Sequence, residues 1–167
     1  MNLFKKTVYD GSELASGNKW EFVDSGLNYV FSNWTKYNRV FNDGYCQWET
    51  KANGTTYVYS PYVSLKKGTT YTLNCTFSYE DSKNTLQLCR FSNADNAAAI
   101  SSIASTTTLQ TSPMTLNYGS DVVTFTPTTT GYYRIRFGNK VSNYDEDNDY
   151  NVEIQYVRLY QGTYTAD

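Results

Sequence analysis

From Thr70 to Tyr79 apolar and polar residues alternate without a break. Tyr71, Leu73, Cys75, Phe77 and Tyr79 fall on one face; Thr70, Thr72, Asn74, Thr76 and Ser78 fall on the other. Period-two alternation of this length marks a half-buried antiparallel strand. Just before it, Val63 and Leu65 share a face, and Lys66-Lys67-Gly68 makes a polar turn whose glycine admits positive φ. Tyr62 to Tyr79 thus reads as two strands joined by a short turn, the longer one central in a sheet.

The same reading carried along the chain predicts about eleven short strands separated by turn chemistry, with no convincing long helix. Early candidates are Thr7-Val8-Tyr9, Trp20-Glu21-Phe22 and Asn28-Tyr29-Val30-Phe31. Next come Tyr37 to Phe41 and Tyr45 to Glu49, joined by Asn42-Asp43-Gly44, a strong hairpin signal. Ala52-Asn53-Gly54 turns the chain into Thr55 to Tyr59, and Pro61 breaks it. Beyond Tyr79, strands are expected at Asn84 to Phe91, Val122 to Thr126, Tyr132 to Phe137 and Val152 to Tyr160. Residues 93–121 are rich in Ser and Thr and read as a long loop, with at most one helical turn at Ala97 to Ile100. In the last strand Val152 and Ile154 have one parity, Val157 and Leu159 the other. A β-bulge near Gln155-Tyr156 would turn all four inward. The profile is that of an all-β sandwich in a single domain spanning residues 1–167.

Composition narrows the chemistry. Aromatic residues make up 17% of the chain and 17 residues are Tyr, whose flat apolar ring and polar tip suit both strands and wet binding surfaces. The net charge is -2, which argues against nucleic-acid binding. There is no His, so His-based acid/base catalysis and His metal ligands are excluded. Cys46, Cys75 and Cys89 are odd in number and lack metal-site spacing; Cys75 lies on the apolar face of its strand, as a buried free thiol would. No long apolar run suggests an export signal or membrane insertion. N-x-T triplets begin at Asn33, Asn53 and Asn74, the last inside a strand.

Candidate ligand-binding residues are aromatic and basic. If Tyr133, Ile135 and Phe137 point inward, then Tyr132, Arg134 and Arg136 point outward. Trp48, Tyr57, Tyr59 and Arg90 are expected to share that face, with Trp34 on a rim loop. Rings stack on the C–H faces of sugars, and forked guanidinium groups bond hydroxyls or carboxylates. The competing assignments place Trp20 and Trp48 in the core and make the outward row a protein interface. In the loop from Asn143 to Tyr150, Asp145, Asp147 and Asp149 alternate as Ca²⁺ ligands do, yet the Gly and closing Glu of a calcium loop are absent; a solvated loop is the alternative. No nucleophile elbow, phosphate loop or other catalytic constellation is present.

Val63, Leu65, Gly68, Tyr71 and Leu73 set out a V-x-L-x-x-G-x-x-Y-x-L segment. It resembles the middle of the jelly-roll carbohydrate-binding modules, families four, nine and twenty-two among them, with a galactose-binding-domain-like fold. Val123 to Thr126 with Gly131 to Phe137, the closing Val152 to Leu159, and the opening Asn2-Leu3-Phe4 with Trp20 are similar to the same pattern. The resemblance implies a two-sheet antiparallel jelly roll with Tyr71, Leu73, Phe77, Ile135, Phe137, Ile154 and Leu159 in its core. It implies a non-catalytic module whose partner is a polysaccharide or cell-surface glycan. Such modules often hold a structural Ca²⁺ through an acidic residue in the last strand; the matching position is Gln155, which is uncharged. The closing Val157 to Asp167 resembles the ends of jelly-roll modules in phage structural proteins. With Met1 intact, no export signal and no attached enzyme, the expectation is a bacteriophage virion surface protein assembled in the bacterial cytoplasm beside other virion proteins, as a capsid-decoration, head-fibre or tail-associated subunit. The alternative is a stand-alone bacterial polysaccharide-binding module, secreted or at the cell surface.

Overall fold

The computed structural model describes residues 3, 21–24, 37–42, 45–79, 83–91, 103–111, 121–148 and 150–163. Within them lie eleven strands: β1 (Glu21–Asp24), β2 (Tyr37–Asn42), β3 (Tyr45–Thr50), β4 (Gly54–Tyr59), β5 (Val63–Leu65), β6 (Tyr71–Tyr79), β7 (Lys83–Phe91), β8 (Ile103–Thr111), β9 (Asp121–Phe125), β10 (Gly131–Val141) and β11 (Asn151–Gln161). They form two antiparallel sheets. One runs β1-β4-β10-β7-β8, with β5 also paired to β10; the other runs β2-β3-β11-β6-β9. The expected strands at 7–9 and 28–31, and the side chains of Phe77, Cys46 and Gln155, lie outside what is described.

The inner faces meet in one apolar core. Tyr71, Leu73 and Cys75 of β6 and Val152, Ile154, Val157 and Leu159 of β11 face Val58, Leu86, Leu88, Tyr133, Ile135 and Phe137 from the opposite sheet. Burying each of the aliphatic and Phe side chains contributes about 1.5–3 kcal/mol. The bulge expected in β11 is present: its register against β6 shifts between Gln155 and Arg158, so residues of both parities reach the core. The β2–β3 hairpin closes on the pair Asn42 and Tyr45, as its turn sequence requires. Asn74 is buried within β6, which removes its triplet from the surface.

The longer strand, β6, is interior in its sheet as expected, between β11 and β9, while β5 joins β10 in the other sheet. The turn between them is therefore a corner that crosses the sandwich. Gly68 takes φ 76° there, and its N–H donates to the Pro127 carbonyl at 3.0 Å. The Lys66 and Lys67 N–H groups donate to the Tyr71 and Thr130 hydroxyls. One expectation is corrected: the long loop expected over 93–121 contains β8. This edge strand is exposed from Ala104 to Thr108, so neither face demands apolar residues. Two register shifts against β7 turn Ile103 toward one side of the sheet and Leu109 toward the other, which erases the alternation. The β-branched Thr106-Thr107-Thr108 supplies the strand preference instead.

β4 and β5 together line one side of β10. β4 pairs with Arg136 to Val141 and β5 with Gly131 to Tyr133. Ser60 fills the gap between them. Its N–H donates to the Ile135 carbonyl at 2.9 Å, and its hydroxyl accepts the Ile135 N–H at 2.8 Å. A side-chain hydroxyl thus takes the Ile135 N–H while the Ser60 carbonyl accepts from Arg134 Nε.

Candidate functional site

The outer face of the β4-β10-β7 sheet, opposite Ile135 and Phe137, carries a continuous polar and aromatic array. Cross-strand pairing builds it in rows: Tyr132 beside Phe91; Arg134 beside Cys89; Arg136 between Tyr59 and Gln87; Gly138 between Tyr57 and Thr85. The outward parity expected for Tyr132, Arg134 and Arg136 is therefore present, but the three side chains have different surroundings.

Arg134 is fully buried. Its Nε donates to the Ser60 carbonyl, and its guanidinium lies 5.2 Å from the Tyr59 ring centre, 5.1 Å from Tyr62 and 6.0 Å from Phe91. Tyr62 and Phe91 meet edge to face at 5.1 Å. Tyr59, Cys89 and Phe91 are buried here in a second, smaller apolar cluster that Tyr57, Tyr62 and Ile103 help to cover. This half of the face is a cation locked among rings, a contact worth about 2 kcal/mol when desolvated.

The other half is open. Arg136 is half-buried and rigidly held: Nε and Nη2 donate to Gln87 Oε1 at 2.8 and 2.5 Å, and Nη1 donates to the Tyr59 hydroxyl at 3.1 Å. Its guanidinium lies 4.5 Å from the centre of the Tyr57 ring. Burial works against the Arg136 charge, but Cys89 and Tyr59 outweigh it and hold its pKa above the ordinary arginine value. Burial pushes the Tyr59 phenol up to about 12, with Arg136 pulling the other way. Burial likewise raises the Cys89 thiol against the pull of Arg136. Gly138 forms the floor: a Cβ there would come within 2.7 Å of Thr85 Oγ1 and 3.1 Å of the Tyr57 ring. Its missing side chain lets Tyr57 lie across the strand. Thr85 is half-buried, while Thr106, Thr108 and Lys140 are exposed around this patch.

The sequence-based set therefore divides. Tyr57 and Arg136 form the open patch, and Tyr59 and Arg134 lie beneath and beside it as buried supports. Tyr132 is 44% exposed on the same face. It is four residues from Arg136, about 13 Å along the strand. Trp48 is corrected: it sits in β3 of the other sheet, fully buried, and its Nε1–H donates to Thr56 Oγ1 at 2.9 Å across the sandwich. Arg90 is also corrected. It pairs with Tyr133, which puts it on the inner parity at the end of the sandwich, its stem 3.7 Å from the position a Gly131 Cβ would take. Trp34 lies outside the described residues. Gln87, Gly138 and Thr85 were missed, because only the register of β10 against its neighbours shows that they surround Arg136.

In the acidic loop, Asp145 Oδ1 accepts the Asp147 N–H at 3.1 Å, and the Asp145 N–H donates to the Tyr150 hydroxyl at 2.9 Å. Asp149 is outside the described residues. Among the described residues no three His, Cys, Asp or Glu side chains converge as metal ligands, and no helix is long and apolar enough to cross a membrane. Cys75 and Cys89 are buried.

No protein-family model and no curated protein matches the chain. Solved structures do. A family 61 carbohydrate-binding module, determined in complex with beta-1,4-galactotriose, superposes with TM-score 0.57 at 10% identity, covering 97% of this chain and 99% of that one. The N-terminal cellulose-binding domain of Cellulomonas fimi β-1,4-glucanase C gives TM-score 0.55 at 15% identity over 99% of both chains. The adhesin domain of Epf from Streptococcus pyogenes gives 0.59 at 14% identity; it covers 92% of this chain, which spans 61% of that one. The chain has the jelly-roll β-sandwich fold of carbohydrate-binding modules.

Proposed function

We propose that the protein is a non-catalytic glycan-binding module that uses the outer face of the β4-β10-β7 sheet. The observation that carries this reading is the Tyr57–Arg136–Gln87 cluster, half-exposed and held in place by the buried Tyr59 beneath it. A sugar ring needs a flat apolar surface and fixed hydrogen-bonding groups beside it. Tyr57 offers the first; Arg136, Gln87, Thr85 and Thr108 offer the second. The patch assembles no nucleophile, base and orienting group, which supports binding without turnover. The test is a glycan array probed with a multivalent display of the protein and of Tyr57→Ala. Binding that the variant loses at unchanged melting temperature supports the assignment; a display that binds no glycan overturns it.

A virion setting is the second part of the proposal. The tailspike protein 4 of bacteriophage CBA120 contains a region of the same fold, with TM-score 0.54 at 7% identity over 92% of this chain and 21% of that one. That likeness is one of fold, and it is compatible with a surface protein of a phage particle, fixed to other virion proteins and presenting the glycan-binding face outward. A stand-alone bacterial polysaccharide-binding module is equally compatible with the fold. Stoichiometric co-purification with phage particles supports the first; its absence, together with binding to a bacterial or plant polysaccharide, selects the second.

A further inference from the structure

Arg136 is the only side chain of the open patch that carries a fixed charge at a fixed place. Gln87 holds one edge of the guanidinium, Tyr59 engages Nη1, and the Tyr57 ring lies alongside. All of these partners are neutral. No carboxylate lies within ion-pair distance of Arg136 among the described residues; the ion pair found on the surface joins Lys51 to Glu49 instead. Arg136 differs from Arg134 on the same face in exposure: Arg134 is fully buried among rings, whereas Arg136 is not. Arg136 is half-exposed, so it meets solvent, and its remaining N–H groups are pre-oriented by bonds it has already made. Lys140 follows on the same side of β10, exposed, about 13 Å farther along and beyond the glycine floor at Gly138. The patch is therefore positive in a chain whose net charge is -2.

We propose that this face recognises an acidic glycan, with the carboxylate of a uronic acid seated on Arg136 and its sugar ring against Tyr57. The inference rests on the glycan-binding reading and sharpens it to a ligand class. The planar fork of arginine matches the planar carboxylate, and charge-assisted bonds of this kind are the stronger ones. Lys140 adds attraction for the next acidic residue of a polyuronate and extends the positive stripe along the direction of the strand. Between the two cations Tyr57 and Thr85 cover Gly138, so an extended chain running along β10 would pass over the Tyr57 ring there.

The test compares four probes on the unmodified protein in multivalent display: a galacturonate oligosaccharide, its methyl ester, and a neutral and a sulfated galactan oligosaccharide of the same length. The free acid is expected to bind about tenfold or more tighter than its ester, and the difference is expected to shrink as salt rises. Arg136→Gln is expected to abolish the preference, and Lys140→Ala to weaken it while leaving the fold untouched, since Lys140 is exposed. Equal binding of acid and ester overturns the acidic assignment while the glycan-binding reading stands. A sulfated galactan that binds as tightly as the uronate shows that charge alone is read, and overturns the carboxylate assignment. Failure of every probe, acidic and neutral, overturns both readings.

Discussion

Tyr59 shows how one residue serves both stability and the site. Its ring helps enclose Arg134, while its hydroxyl accepts a bond from Arg136. Burial pushes its pKa from 10.0 up to about 12. The folded protein therefore keeps a proton that the unfolded chain releases across that window. Stability from this group is complete below pH 10 and is lost as pH rises toward 12, by about 3 kcal/mol at two pKa steps. Tyr59→Phe removes the bond to Arg136 and is expected to cost about 1 kcal/mol near neutral pH. It also removes the titration, so the urea midpoints of the two proteins should meet at about pH 11 and reverse their order as the pH approaches 12. Parallel curves would show that the phenol is not held neutral by the fold. At this scale the sequence was half legible. Alternation placed Tyr132, Arg134 and Arg136 on one face, because parity is a property of a single strand. It did not show that Arg134 is buried or that Arg90 faces the other way, because burial depends on which strands lie alongside. Trp48 looked like a binding aromatic for the same reason: its partner, Thr56, sits in the other sheet.

At the level of elements, β10 organises the molecule. One side of the strand takes β4 and β5, the other takes β7, and its two faces carry the core and the candidate site. Gly138 is the position where these demands meet. Gly138→Ala places a Cβ within 2.7 Å of Thr85 Oγ1 and 3.1 Å of Tyr57, so the ring must lift from the sheet. The expected cost is about 1–3 kcal/mol, with glycan binding weakened in parallel. Gly131→Ala is the control: its nearest neighbour is 3.7 Å away, an ordinary contact, and stability measured by urea unfolding should change little. If both variants behave alike, Tyr57 does not depend on the bare floor. The strands that alternate cleanly, β6 and the first half of β10, were legible because each turns its apolar residues to the core face, although Thr72, Asn74 and Arg134 on the opposite faces are buried too. β8 was not, because an exposed edge strand with two register shifts has no pattern to display. The β11 bulge was legible because the parity of its apolar residues changes midway, and only an extra residue reconciles that change with one core. The partition of β5 and β6 between sheets was not, since a hairpin and an inter-sheet corner use the same turn residues.

For the whole molecule, the two layers separate the tasks. The interior between the sheets holds the fold together, and the outer face of one sheet is left free for the proposed site. That separation explains why the fold could be read from the sequence while the ligand could not: the core pattern is a demand of burial, whereas the site needs a few side chains fixed by neighbours remote in sequence. It also bears on affinity. The open patch centres on one ring and one guanidinium, with Tyr132 standing apart about 13 Å away along the strand. A patch of that size gives weak binding as a single copy, because little surface is buried against the cost of ordering a glycan. Copies presented together on one particle convert later contacts into intramolecular ones and raise avidity by about 10²–10⁴-fold where several engage at once. The free protein is therefore expected to bind an immobilised glycan weakly by surface plasmon resonance, with fast dissociation, and a multivalent display of it to dissociate far more slowly. Tyr57→Ala should remove binding in both formats, since avidity multiplies an existing contact and cannot replace it. A free protein that already binds tightly would point to a larger site, with Tyr132 and the buried ring cluster taking part. A display that gains nothing over the free protein would show that neighbouring copies cannot reach the same chain.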